Sequence, residues 1–184
     1  MDLPAPTLNR GSSYVLAIDP GNRETGFVLA DAETLQPIEF DKIDNHRLLQ
    51  YIYALQQRLA PGEKVGAFAI ERVASYGLAV GKEVFETCEW IGRFTQCTYS
   101  NYGREPEFIY RKEEKQYICG DLKAKDTNIR RALIDRFAQH DLKNGKGTKN
   151  NPDWFYGFKA DIWSAYAVAV TWSEKQREAA KARG

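Results

Sequence analysis

Soft metal ligands are scarce in this 184-residue chain, which has two histidines, His46 and His140, and three cysteines, Cys88, Cys97 and Cys119. No C-x-x-C pair occurs and neither histidine has ligand spacing, which excludes a zinc site. An odd number of cysteines does not make a disulfide frame either, and the expectation is reduced, partly buried thiols in a reducing compartment. No run approaches the roughly 18 apolar residues that a bilayer span needs. Met1-Asp2-Leu3-Pro4-Ala5-Pro6 carries no basic-then-apolar export signal, so a cytoplasmic protein with no membrane partner is expected. Any metal held here would be a hard cation on carboxylates.

A net excess of charge is also lacking: 26 Lys and Arg against 25 Asp and Glu give +1. The balance hides an asymmetry. From Arg111 to Lys149 there are 11 basic residues against 6 acidic ones, a local +5 that leaves −4 elsewhere. Any single charge run is explained by a solvated helix face. A basic half beside an acidic remainder points to a polyanion held near a carboxylate-rich site.

What is present is a set of short apolar runs in a chain of one-domain length. Residues 1–12 read as a loose leader, 13–173 as a single domain and 174–184 as a charged, exposed tail. Strands are predicted at about 14–19, 25–31 and 36–42, an antiparallel meander. Leu48, Leu49, Ile52, Leu55 and Leu59 recur at helical spacing, predicting a helix over about 45–59. A strand at about 65–71 is apolar on both faces, as covered parallel strands are. A helix at about 80–97 and a strand at about 107–110 follow. Helices are then predicted at about 112–118 and 126–139, the second capped by Asp126 or Thr127. Lys143 to Pro152 is rich in Gly, Asn and Lys and reads as a mobile loop. A last helix starts near Lys159 and passes Trp172. This order predicts an α/β domain, a mixed five-stranded sheet with three antiparallel strands, then parallel ones, and helices on both faces. Leu16, Ile18, Phe27, Leu29, Phe68, Ile70 and Val168 are its expected core.

Two of these strands end on a lone acid. Asp19 follows Tyr14-Val15-Leu16-Ala17-Ile18, and Glu71 follows Ala67-Phe68-Ala69-Ile70. Read alone, Asp19 before Pro20-Gly21 suits a turn as well as a functional site. If the strands are neighbours pointing the same way, both carboxylates reach one spot. Asp161 opens a helix so apolar that most of it must be buried, which is unfavourable for a charge unless it is paired or bound to metal. A first-turn anion at the positive end of a helix serves as well for Asp161 alone. Taken together, three acids from three segments suit hard divalent cations, and two such ions about 4 Å apart can activate water on a phosphodiester.

Asp19-Pro20-Gly21 with Thr25-Gly26 resembles the opening of the RuvC-type Holliday junction resolvases, of the ribonuclease H-like superfamily. Ile70-Glu71 is similar to their second acidic motif. Lys115-Gln116-Tyr117-Ile118-Cys119-Gly120 resembles their lysine-containing segment, with Glu114 where valine is usual. The helix from Asp161 to Ala169 resembles their terminal acidic helix, and Val80-Gly81-Lys82-Glu83-Val84-Phe85 looks most like phage-borne members.

The resemblance implies a ribonuclease H-like fold and an endonuclease, dependent on Mg²⁺ or Mn²⁺ and using two ions. Such an enzyme nicks symmetric strands of a four-way DNA junction as a homodimer, in the cytoplasm of a bacterial or phage-infected cell. It makes Asp19, Glu71 and Asp161 metal ligands and Lys115 a catalytic basic residue near the scissile phosphate. A second acid expected on the last helix is replaced by Ser164. The fourth ligand is then water, Ser164 or a nearby acid such as Asp153.

Arg72, Lys82, Lys115, Lys123, Lys125, Arg130 and Arg131 are candidates for DNA phosphates. Tyr76 suits either stacking at a branch point or packing of its own loop. Phe85, Trp90 and Phe94 lie at helical spacing and read as core or dimer interface. Two further readings stand beside the resolvase: a nuclease for other branched DNA or structured RNA, and a catalytically weak junction-binding protein. Actin-like ATPases share a D-x-G strand turn but need two such halves, and this chain supplies one.

Overall fold

The structure, a computed structural model, describes residues 13–75, 77 and 79–184. The expected leader at 1–12 lies outside the described residues, as does Tyr76. Five strands, β1 (Ser13–Asp19), β2 (Glu24–Asp31), β3 (Pro37–Asp44), β4 (Lys64–Arg72) and β5 (Glu107–Tyr110), form one mixed sheet in the order β3-β2-β1-β4-β5. β3, β2 and β1 pair antiparallel, whereas β1 with β4 and β4 with β5 pair parallel. The helices are α1 (Asn45–Arg58), α2 (Lys82–Tyr102), α3 (Arg111–Glu114), α4 (Asp126–Phe137) and α5 (Ala160–Arg183).

Alternation along the strands sorts the core into two layers. On one face Tyr14, Leu16, Ile18, Phe27, Leu29, Phe68 and Ile70 pack against Leu48, Ile52 and Leu55 of α1 and Ile91 and Phe94 of α2. On the other, Val15, Ala17, Val28, Ala30, Ala69 and Ile109 pack against α4 and against Tyr166, Val168 and Val170 of α5. All seven expected core residues are buried, but Val168 belongs to the second layer. Small alanines on that face let the buried α5 lie close across the sheet. Beyond Ser173 the helix continues to Arg183 as a charged, mostly exposed end.

Three sequence expectations are corrected. The helix expected at 112–118 is a four-residue α3 running into a single π turn, Lys115–Cys119, closed by Gly120 at φ 66°. Lys125, not Asp126 or Thr127, is the N-cap of α4, where its amide donates to Asn128 Oδ1. The 143–152 segment is tied down rather than loose. Asp141 accepts from the amides of Asn144, Lys146 and Gly147, and Gly147 bridges to Pro152. Of the three free thiols, Cys97 and Cys119 are half-buried but Cys88 is exposed.

Candidate active site

The sheet register aligns one row of residues at the β1 tip. Asp19 pairs with Gly26 on β2, and Gly26 pairs with Lys42 on β3. On the other side Ile18 pairs with Ile70, so Glu71 is the next neighbour of Asp19, and Glu71 pairs with Ile109 on β5. Strand alternation turns these side chains to the α5 face. A glycine in the middle of the row is what lets α5 land there. A Cβ on Gly26 would lie 2.7 Å from the Asp161 carbonyl oxygen and 3.0 Å from the Asp161 Cβ. Asp161 is thereby seated over Gly26, beside Asp19. Ala160, just before it, has φ +25°, a left-handed backbone costly for a residue with a Cβ.

The turn that carries Asp19 is locked from below. Gly21 N–H donates to Thr25 Oγ1 at 3.3 Å, the Thr25 hydroxyl donates to Asn45 Oδ1 at 2.6 Å, and Asn45 Nδ2 donates to Gly21 O at 2.9 Å. Thr25 and Asn45 are fully buried. Asn22 Nδ2 adds a bond to Glu86 on α2, at 3.1 Å. The Pro20-Gly21 turn is therefore a rigid mount.

A fourth acid, unforeseen as part of the site, joins the three. Glu114, at the end of α3 just beyond the β5 tip, has a fully buried side chain. Arg111 donates to its Oε2 and, at 2.6 Å, to Asp126 Oδ1. Glu114 Oε1 is buried with no hydrogen-bond partner among the described residues. Burial pushes Asp19 up to about 9, helped by the charge of Glu71, a proton shared with it, and the charges of Asp161 and Glu114. Glu114 is raised well above the carboxylate range, by burial and then by Glu71, against the opposing pull of Arg111. Asp161 is half-exposed and paired with Lys42 Nζ at 2.8 Å.

This donor set, all oxygen and mutually repelling, fits a hard divalent cation, and the orphaned Glu114 oxygen is the kind of atom such an ion satisfies. As placed, no three acidic, histidine or cysteine side chains among the described residues close around one point. Lys42 holds Asp161 instead. Ser164 faces the same side of α5 as Asp161 and lines a depression of about 350 Å³ with Arg111, Asp126, Arg130, Asp161 and Trp163. A second depression of about 250 Å³ exposes Asp19 and Glu71 beside Arg72, and Arg111 borders both.

No family model matches the sequence, and no curated protein matches it. Among solved structures, RuvC of Thermus thermophilus matches with a TM-score of 0.64 at 14% identity, over 90% of this chain and 96% of that one. The same protein in complex with a Holliday junction substrate gives 0.66 at 14% identity over the same shares. The fold is ribonuclease H-like. A yeast mitochondrial Holliday junction resolvase also aligns, over 95% of this chain and 85% of its own at 14% identity, with a TM-score of 0.49.

Around these acids the expected basic residues divide. Arg72 lies over the Phe108 ring at 4.8 Å and borders the acids, and Arg130 lies over the Trp163 ring at 4.5 Å in the depression beside Asp161. Arg131, one residue on and so around the helix, pairs with Asp135 and donates to Leu142 O at 3.0 Å. It shares a separate depression with Lys123 and Lys125, away from the acids. Lys82 is exposed and pairs with Glu86 at 3.1 Å. Lys115 sits half-buried in the π turn, and its ammonium makes no hydrogen bond or ion pair with any described residue. Besides Arg72 and Lys42, Arg111 is placed against the acids, paired with Glu114.

Asp153 is not available to the site. Its buried carboxylate accepts from the amides of Gln139, His140, Asp141 and Trp154, at 2.6 to 2.9 Å. Those bonds hold it well below the usual carboxylate range despite its burial. Asn45, Lys42, Arg111 and Glu114 were missed as parts of the site. Only Glu114 left a signal, as an acid where the resembling family has valine.

Proposed function

We propose that this chain is a metal-dependent endonuclease that cuts four-way DNA junctions, a RuvC-type resolvase most like phage-borne members. The observation that carries the reading is the convergence of Asp19, Glu71, Asp161 and Glu114 at one end of a ribonuclease H-like sheet, flanked by Arg72, Arg111 and Arg130. RuvC of Thermus thermophilus, which has this fold, is seen with a Holliday junction substrate, and that supports the choice of DNA.

Asp19, Glu71 and Asp161 would hold Mg²⁺ or Mn²⁺, two ions being the expectation from the resemblance. Such ions supply an activated water and stabilisation of the leaving oxygen of a phosphodiester. The chain's own part is to prepare the ground. The locked Pro20-Gly21 turn and the Gly26 seat fix two carboxylates; to hold a cation, Asp19 would release its proton to solvent and Asp161 would part from Lys42. Arg130 and Arg111 line the depression beside Asp161 and suit phosphate oxygens, since guanidinium offers paired donors. Lys115, without a partner among the described residues, stays a candidate for a more distant phosphate. Lys123, Lys125 and Arg131 suit an outlying arm of the junction, with Lys82 beyond the β4 tip, at the start of α2.

Symmetric nicking needs two sites, and a homodimer is proposed through the outer face of α1 and α2, where Tyr53, Phe85 and Tyr99 are exposed. The expected place of action is the cytoplasm of a bacterial or phage-infected cell, and no helix among the described residues is long and apolar enough to cross a membrane.

Nicking assays with Mg²⁺ and Mn²⁺ on a four-way junction, a flap, a plain duplex and an RNA hairpin test the reading. The expected result is paired nicks in the junction, lost in Asp19→Asn with junction binding retained. Preference for RNA or plain duplex overturns the substrate, and absence of any nicking by the wild type favours a junction-binding protein. Binding should weaken steeply as salt rises.

A further inference from the structure

Helix α5 resembles a helix that usually carries two acids three residues apart, yet it has Asp161 followed by Ser164. The site is nonetheless not short of carboxylates, because Glu114 arrives from a different element. Its position follows from topology. β1, β4 and β5 are adjacent and parallel, so the chain leaves the sheet at three neighbouring tips. Asp19 ends the first, Glu71 closes the second one residue before its end, and β5 turns at once into α3, whose last residue is Glu114.

Two features of Glu114 fit a ligand better than a structural ion pair alone. Its side chain is fully buried, and carboxylates in that setting are ordinarily satisfied on both oxygens. Here Arg111 takes Oε2 and Oε1 has no partner among the described residues. Glu114 also feels the charges of Glu71 and Asp19, and it follows β5, whose strand pairs parallel with the end of β4 that carries Glu71. A buried carboxylate near other acids is unfavourable without a countercharge, and the Arg111 that pairs with Glu114 is shared with Asp126. Its grip on Oε2 orients the group with the other oxygen free, as partners of ligating carboxylates do. The π turn that follows Glu114 is an uncommon geometry, often found where a side chain is re-aimed at a functional site.

We propose that Glu114 is the fourth carboxylate of the divalent-cation site, supplying from the β5 tip the acid that α5 lacks at Ser164, with Arg111 as its positioning residue. This rests on the nuclease reading above.

The test is Mn²⁺ binding by calorimetry and electron paramagnetic resonance, on wild type, D19N, E114Q and the E114Q/S164D double variant, with thermal stability in EDTA as the folding control. The expected result is that E114Q weakens Mn²⁺ binding by at least about tenfold, on the scale known for disturbed ligand shells. S164D should restore part of it. If E114Q does not fold, R111M/E114V removes both members of the pair and should show the same weakening. Wild-type affinity in E114Q, or in R111M/E114V, alongside lost binding in D19N overturns the role of Glu114 and leaves the metal site standing. Absence of Mn²⁺ binding by the wild type overturns the nuclease reading itself and this assignment with it.

Discussion

Gly26 and Asp161 approach so closely that a methyl group on the glycine would lie 2.7 Å from the Asp161 carbonyl oxygen. One contact thus couples the β2 strand to the start of α5 and sets the distance of Asp161 from Asp19, the partner of Gly26 across the sheet. In Gly26→Ala the strand keeps its preferred conformation, but the helix start must lift. Overpacking of this kind costs about 1–3 kcal/mol of stability. The larger effect is expected on function, since displacing a catalytic group by about 1 Å can cost on the order of a hundredfold in rate. Junction nicking against thermal stability checks this, and wild-type nicking would show that the seat is not needed.

Lys42 stands in the same row and pairs with Asp161 at 2.8 Å, both side chains being about 40% exposed. A pair so accessible to water is worth no more than about 1 kcal/mol. It nevertheless occupies the carboxylate that a divalent cation would need. Lys42→Met should therefore bind Mn²⁺ more tightly, by up to about fivefold, which is the same free energy expressed as affinity. Weaker binding in calorimetry would mean that Lys42 holds Asp161 in its working place instead of competing for it.

Much of this architecture could be read from residue order. Asp19 and Glu71 stood out because each ends an apolar strand in which a charge has no business, and the buried α5 exposed Asp161 in the same way. Glu114 showed only as an acid where the resembling family has valine, because Arg111-Lys112-Glu113-Glu114-Lys115 has the look of a solvated helical face. Its burial arises from the short α3 and the π turn, which no periodicity announces. Gly26 was visible in a motif, but its purpose appears only when α5 is laid across the sheet. Asp153 misled in the opposite direction. An Asp beside Pro in a Gly- and Asn-rich loop reads as free to move, whereas it organises that loop.

The organising role of Asp153 gives a stability prediction. Asp153→Ala leaves the amides of Gln139, His140, Asp141 and Trp154 without their acceptor. Unsatisfied buried donors cost about 1–3 kcal/mol each, and some will find water, so a loss of about 2–4 kcal/mol is expected. The carboxylate is held below its ordinary range in the folded state, so its contribution is present above that range and fades as pH falls. Urea unfolding at neutral pH measures the loss. Mn²⁺ affinity of the folded variant should be unchanged, and a drop there would place Asp153 in the site after all.

Asp19 carries the opposite sign. Burial first, then the charge of Glu71 and the proton shared with it, then Asp161 and Glu114, raise its carboxyl from 3.8 to about 9. Between those values the folded chain retains a proton that the unfolded chain has released, so this group's contribution to stability is fully present at low pH and declines as pH rises through the window. In EDTA the melting temperature is expected to fall from about pH 5 towards pH 9, with a flatter profile in Asp19→Asn, which has no proton to lose. Cations bind the deprotonated carboxylate, so protons compete with them. Mn²⁺ affinity should climb over the same window, by up to about tenfold per pH unit for each proton displaced. The two slopes therefore oppose each other, and saturating Mn²⁺ should cancel or reverse the fall in melting temperature at high pH. If Asp19→Asn melts with the wild-type pH slope, the shared proton lies elsewhere, and Asp19 is then an ordinary ionised acid at the strand tip.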